Sequence, residues 1–200
     1  MPDETPEPRY PYASLEDVPE DVRNAILQVQ DKAGFVPNVY LLLARRPAEF
    51  RAFFAYHDAV MGDRDGSSLT KADREMVVTS ISAANRCTYC VVAHGALLRI
   101  YAKHPLLADQ VATNHRTADI TPRERAILDF AHRVNARSHE VGDADFAALA
   151  EHGLDAEDAW DIAAVTALFG LSNRVASVTG LMPNPEFYLM GRIPRERVQT

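Results

Sequence analysis

Asn85-Arg86-Cys87-Thr88-Tyr89-Cys90-Val91-Val92-Ala93-His94-Gly95 holds both cysteines of a 200-residue chain. Read as a helix, the stretch sets Cys87, Cys90 and His94 at i, i+3 and i+7, which lines the three side chains along one face over two turns. Cys90 and His94, four residues apart, are then direct neighbours. Whether the segment is helical decides the fold class. Apolar spacings of three and four recur on both sides of it, and no segment alternates with period two for long, so an all-α fold follows.

Working upstream, Thr70 reads as the cap of a helix from Lys71 to about Asn85, with Asp73 at N3 supplying the acidic half of a capping box. Its run Ser82-Ala83-Ala84 lets another helix approach closely. Glu75 lies in the first turns, where the helix dipole favours a carboxylate. The loop Gly62 to Ser68 lacks the G-x-x-x-x-G-K-[ST] pattern of a phosphate-binding loop. Before it, Pro47 opens a helix through Phe50, Phe53, Phe54 and His57 to Met61, and Val39 to Ala44 follows a restart at Pro37-Asn38. Val22, Ala25, Ile26 and Val29 mark a short amphipathic helix closing at Gly34. Residues 1–17, rich in proline and acid, are expected to form an extended arm over the surface or a neighbouring subunit, with a disordered tail as the alternative, and residues 18–200 one helical domain.

Downstream, the cysteine helix is expected to run from Cys87 to His104, and Pro105 to start a short stretch through Val111. Thr121-Pro122-Arg123-Glu124 combines a cap, an N1 proline and an N3 glutamate. It echoes Leu69 to Arg74 at a distance of 51 residues, and shared cap grammar explains the echo. Phe146, Leu149 and Ala150 mark another short helix. Asp155 caps the last long helix, whose Trp160 to Val178 section is apolar or small on nearly every face, as expected for a helix buried all round. Trp160 and the phenylalanines are therefore assigned to the core. Asp161, Asn173 and Arg174 interrupt the run and argue against a membrane span.

Composition narrows the function. A hydrophobic share of 47% and a charged share of 24% describe neither a disordered nor a fibrous chain. With a net charge of -7 and no basic block, a nucleic-acid or anionic-membrane surface is not expected. Met1 to Pro8 has neither a positive n-region nor an apolar h-region, so the expected location is cytoplasmic. In a reducing compartment a C-x-x-C pair is more often redox-active or metal-binding than structural.

A free thiol with a pKa near 8.5 is only a few per cent ionised at neutral pH, so a reactive pair needs an agent that lowers it. Two are present. The helix N-terminus acts most on Cys87, and His94 lies one turn from Cys90. If His94 is the base, Cys90 attacks and Cys87 resolves; if the dipole dominates, the order reverses. The imidazole both lowers a thiol pKa and takes its proton, which favours Cys90. Glu75 becomes the partner that orients His94 if the two helices pack antiparallel.

Glu75, then eleven residues, then Cys87-x-x-Cys90-x-x-x-His94 resembles the core motif of the AhpD-like alkylhydroperoxidases, within the carboxymuconolactone decarboxylase superfamily. The wording around it, Arg74-Glu75-Met76 and Ser82 to Cys90, is most similar to the branch called peroxidase-related proteins. The resemblance implies an all-α helical bundle, assembled as a homo-oligomer, that reduces a hydroperoxide without haem, flavin or metal. It implies that Cys90 attacks the peroxide, that Cys87 condenses with the resulting sulfenic acid, and that Glu75 and His94 relay the proton. An external thiol, a dihydrolipoyl group or a thioredoxin-like protein, would restore the dithiol. Tyr89 stands where characterised members can carry a histidine that assists the relay, and a phenol is a poor base near pH 7. Members that decarboxylate lack the cysteine pair.

Two other readings compete. Cys87, Cys90 and His94, with Glu75 or water, could hold a metal, although the second arm of Cys or His usual in structural zinc sites is missing. The pair could instead serve as a redox sensor without turnover. Of the remaining histidines only His57, on an aromatic-rich helix face, is placed to line a pocket. Asn173 and Arg174, polar residues in an apolar helix, need partners if buried and are expected to serve packing or subunit contacts.

Overall fold

The computed structural model of the chain describes residues 9–192. Among these residues there are ten α-helices and no strand: α1 (Glu20–Ala33), α2 (Asn38–Ala44), α3 (Pro47–Met61), α4 (Lys71–Ala84), α5 (Thr88–Ala102), α6 (Leu107–Asn114), α7 (Pro122–Arg137), α8 (Asp143–Ala150), α9 (Ala156–Thr179) and α10 (Glu186–Leu189). The first eight residues of the expected N-terminal arm lie outside the described residues. Residues 9–17 run without helix, joined to the body through Arg9 N–H to the Thr179 carbonyl and Ala13 N–H to that of Leu41.

The expected caps form. Thr70 and Asp73 exchange hydrogen bonds at 2.9 and 3.1 Å at the head of α4, and Thr121 and Glu124 do the same at the head of α7. Asp155 accepts from Glu157 and Asp158 at the head of α9. These satisfy amide groups that a helix start leaves without partners.

Helix α4 is the centre of the molecule. It packs against α5, α6, α7 and α9, and every residue from Asp73 to Ser82 is buried. Such burial leaves its charges no solvent, so each must find a partner inside. Arg74, 2% exposed, donates to Asp161 on α9 and to Ser67 at 3.0 Å each, to the Val60 carbonyl at 3.1 Å, and to the Leu69 carbonyl. Ser68 donates its N–H and hydroxyl to Asp158 at 2.8 Å. The loop before α4 is thus an anchor between α4 and α9.

Two differences from expectation follow from tertiary packing. Trp160 is 73% exposed, and Leu171 and Val178 are more than half exposed, because α9 buries one broad face against α4, α5 and α7 and leaves the opposite face open. By length and composition α9 could cross a membrane, yet in this fold its buried face carries Asp158, Asp161 and Asn173. The cysteine helix begins at Thr88 and ends at Ala102, where Lys103 turns left-handed with φ 54°.

The segment around α10 closes over this helix. Arg99 donates to the carbonyls of Phe187 and Met190 at 2.9 Å, and Phe187 packs edge-on against Phe35 and Tyr89. Asn184 accepts from Asn38 N–H at 2.8 Å and donates to the Val36 carbonyl at 2.9 Å, which fixes the start of α2 beside the end of α9. A second apolar cluster, including Leu42, Ala93, Ala176 and Leu181, surrounds the cysteines.

Candidate active site

The short turn from α4 to α5 is sharp because Arg86 adopts φ 58°, a left-handed conformation uncommon outside glycine. Cys87 follows in extended conformation as the N-cap of α5, rather than inside the helix. Its Sγ accepts the Cys90 N–H at 3.4 Å, the position a Ser or Asp oxygen takes in an ordinary cap. Its own N–H donates to the Ser82 carbonyl at 2.9 Å. The sulfur therefore faces the positive end of the α5 dipole.

Cys90 lies one turn into the helix. Both cysteines are reduced and nearly inaccessible, 2% and 1% exposed. On α9, Ser172 Oγ is 3.8 Å from Cys90 Sγ. The next residue, Asn173, is buried, donates to Ser82 Oγ at 2.9 Å and accepts from Asn85 Nδ2 at 2.9 Å, while Asn85 also exchanges hydrogen bonds with Asn135 on α7. The Asn173 carboxamide lies close enough to both sulfurs to favour their ionisation. Asn173, expected to serve packing or subunit contacts, does pack through its bonds to Asn85 and Ser82, and it does so next to the sulfurs.

These neighbours divide the two thiols. Cys87 is pulled down to about 7, first by the hydrogen bond of the Cys90 thiol, then by the Cys90 backbone N–H, Asn173 and the nearby His94, against a burial effect of opposite sign. Cys90 is pushed up, by the anion forming on Cys87 beside it and by burial. Of the two thiols Cys87 is therefore the one that ionises more readily, the reverse of what Cys90 and His94 alone would give. Among the described residues no hydrogen bond joins His94 to either sulfur.

Glu75 and His94 do meet. Antiparallel packing of α4 and α5 brings Glu75 Oε2 to 2.7 Å from His94 Nδ1, with both side chains largely buried. A carboxylate there fixes the imidazole orientation and stabilises its charged form. Phe169 of α9 packs edge-on against His94 at 4.6 Å and against His57 at 6.4 Å. His57 bonds to Asp58 at 3.1 Å, and burial holds its imidazole below the ordinary range. Tyr89 is buried against Phe187, and burial pushes its phenol upward, so it stays protonated near neutral pH. Among the described residues no three His, Cys, Asp or Glu side chains are arranged to hold a metal ion, so the metal reading finds no coordination set.

The site therefore draws on α4, α5 and α9. The sequence marks Asn173 as a polar residue in need of a partner but not as a neighbour of the sulfurs, and it gives no place to Ser172. The one available signal was their polarity inside an apolar helix.

The family profile for the carboxymuconolactone decarboxylase family matches residues 47–133. An uncharacterized peroxidase-related protein from Ralstonia eutropha JMP134, described as an alkylhydroperoxidase AhpD core, is 64% identical over 96% of this chain and all of that one, with a TM-score of 0.93. This chain belongs to the AhpD-like carboxymuconolactone decarboxylase family. A second peroxidase-related member, from Silicibacter sp. TM1040, is 36% identical over 94% of this chain and all of its own, with a TM-score of 0.86. The debrominase Bmp8 shares the fold of this AhpD-like chain, with a TM-score of 0.70 at 21% identity over 90% of this chain and 93% of its own. No curated protein matches it.

Proposed function

We propose that this protein is a thiol-dependent peroxidase that reduces organic hydroperoxides through Cys87 and Cys90. The observation that carries the reading is the N-capping of α5 by the Cys87 sulfur, which favours a thiolate 3.4 Å from the Cys90 amide, beside a helix pair that also holds Glu75 and His94 together at 2.7 Å. Ionising Cys87 releases one proton, and His94, oriented by Glu75, is the group that relays it.

Cys90 is the sulfur beside Ser172, a residue that lines an apolar cavity, and it is the attacking group. The Cys87 thiolate takes the Cys90 proton, and Cys90 attacks the distal peroxide oxygen. The O–O bond breaks, leaving a sulfenic acid on Cys90 and an alkoxide that recovers the proton from Cys87. The Cys87 thiolate then displaces hydroxide from Cys90, and hydroxide recovers, by way of His94, the proton that Cys87 released. The sum is one hydroperoxide and two thiols giving an alcohol, water and the Cys87–Cys90 disulfide. An external dithiol, a dihydrolipoyl group or a thioredoxin-like protein, returns the disulfide to two thiols by exchange. The open apolar face of α9 supports a homo-oligomer, and reliance on a reduced dithiol supports a cytoplasmic setting.

The test is peroxide consumption with a dithiol reductant, combined with dimedone trapping of sulfenic acid. Wild type turns over, and Cys90→Ser and Cys87→Ser do not. Cys87→Ser accumulates a trapped sulfenic acid at residue 90, and Glu75→Gln slows turnover by about 10²-fold or more. Trapping at Cys87 in Cys90→Ser, with none at Cys90 in Cys87→Ser, reverses the order of attack. Disulfide formation without turnover leaves a redox sensor.

A further inference from the structure

Three asparagines from three helices form a continuous chain of hydrogen bonds that ends beside the cysteines. Asn85, the C-cap of α4, donates through Nδ2 to Oδ1 of Asn135 on α7 at 3.1 Å and to Oδ1 of Asn173 on α9 at 2.9 Å. Its own Oδ1 accepts from Asn135 Nδ2 at 3.0 Å. Asn173 Nδ2 donates in turn to Ser82 Oγ at 2.9 Å, and the Ser82 carbonyl takes the Cys87 N–H. The hydroxyl of Ser172, next to Asn173 in the chain, is 3.8 Å from Cys90 Sγ. The amides therefore connect α7, which touches neither sulfur, to the thiol pair.

A carboxamide carries an acceptor at one end and two donors at the other, so its effect on a thiol depends on which end it presents. An N–H favours the thiolate, and a carbonyl oxygen opposes it. With Asn173 Oδ1 taken by Asn85 and one N–H by Ser82, the second N–H is the group left for the sulfurs. Ser82 does not fix this direction, because a hydroxyl accepts or donates and would serve either end. Asn85 does fix it, by offering Asn173 an N–H rather than an oxygen, and Asn85 is itself held by its two-way bond with Asn135. We infer that Asn135 and Asn85 are positioning residues of the thiol pair, which keep the N–H end of the Asn173 carboxamide toward Cys87 and Cys90. The lowering that Asn173 exerts on both thiols has the sign this direction requires. Burial strengthens each link, since no water competes for the buried Asn173 and Ser82. The consequence for turnover rests on the peroxidase reading; the orientation of the amides does not.

The test reads thiol ionisation without peroxide. Asn135→Ala removes the outer amide at a half-buried position where alanine suits the helix, so α7 is kept. Asn85 is then free to turn its oxygen to Asn173, and Asn173 to turn its carbonyl to the sulfurs. The ionisation constant of Cys87, followed by thiolate absorbance at 240 nm in the reduced protein, is expected to fall at least about threefold, a rise of about half a pH unit in the midpoint. The titratable groups that face the pair, His94 with Glu75 behind it and the buried phenol of Tyr89, lie on α4 and α5 and are unchanged by this substitution. In an Asn173→Ala background Asn135→Ala should shift the midpoint no further, since the amide it orients is gone. Arg133→Ala, which breaks the ion pair to Glu140 on the same helix and touches none of the amides, should leave the midpoint in place. A midpoint unmoved by Asn135→Ala, the same shift with Asn173 absent, or an equal shift in Arg133→Ala overturns the inference. The expected pattern in a protein that consumes no peroxide sustains it and removes the peroxidase reading alone.

Discussion

Replacing Cys90 with Ala removes the neighbour that contributes most to the low pKa of Cys87. In the wild type, ionisation near 7 makes the Cys87 thiol about half thiolate at neutral pH. Without the Cys90 hydrogen bond it returns toward the free-thiol value of about 8.5, where about 3% is ionised. The thiolate at pH 7 falls about fifteenfold, a change of about 2 kcal/mol in the free energy of ionisation. The assay is thiolate absorbance at 240 nm between pH 5 and 9, read as a difference from the Cys87→Ser/Cys90→Ala double variant so that tyrosine cancels. The midpoint should move from near 7 to above 8. The sign carries into stability. A thiol depressed in the folded state contributes fully above its unfolded value of about 8.5 and loses that contribution as pH falls toward 7. The raised Cys90 acts oppositely above about 8.5, so stability of the reduced protein turns over there. A Cys90→Ala midpoint that stays near 7 would refute the shared-proton account and assign the effect to the helix terminus alone.

Asn173→Asp keeps the shape but brings a carboxylate to the sulfurs; the Cys87 midpoint should rise, and Asn173→Ala should raise it less while costing about 1–3 kcal/mol in urea unfolding. An unchanged midpoint in both removes Asn173 from the sulfur site. Arg74→Met strips the buried partner from Asp161 and from two carbonyls, and should destabilise by about 3 kcal/mol, measured by urea denaturation. A loss below about 1 kcal/mol would show that Arg64, which also reaches Asp161 at 3.0 Å, is enough. His132 is held down to about 4 by burial, so it is neutral when folded and charges first when unfolded. Stability should decline as pH falls from about 6.5 toward 4, and His132→Leu should flatten that slope in thermal melts across the range.

The sequence by itself determined the local grammar. Capping boxes at Thr70, Thr121 and Asp155, and the three-and-four spacing of apolar residues, depend on neighbours within one or two turns, so the helices and the all-α class were legible without a fold. The motif from Glu75 to His94 was legible for the same reason, since one helical hairpin holds it and antiparallel packing of its two arms brings the carboxylate to the imidazole. Tertiary structure decided what depends on a distant helix. Ser172 and Asn173 reach the sulfurs only because α9 crosses the α4–α5 hairpin, more than 80 residues later in the chain. That crossing also left Trp160 outside, since no periodicity tells which face of an apolar helix will meet its neighbours. The charge of the pair was likewise a tertiary outcome. Spacing placed His94 beside Cys90, but the left-handed turn at Arg86 set Cys87 as the cap of α5, and the Cys90 thiol, the amide that Cys87 accepts and Asn173 make Cys87 the sulfur that ionises more readily.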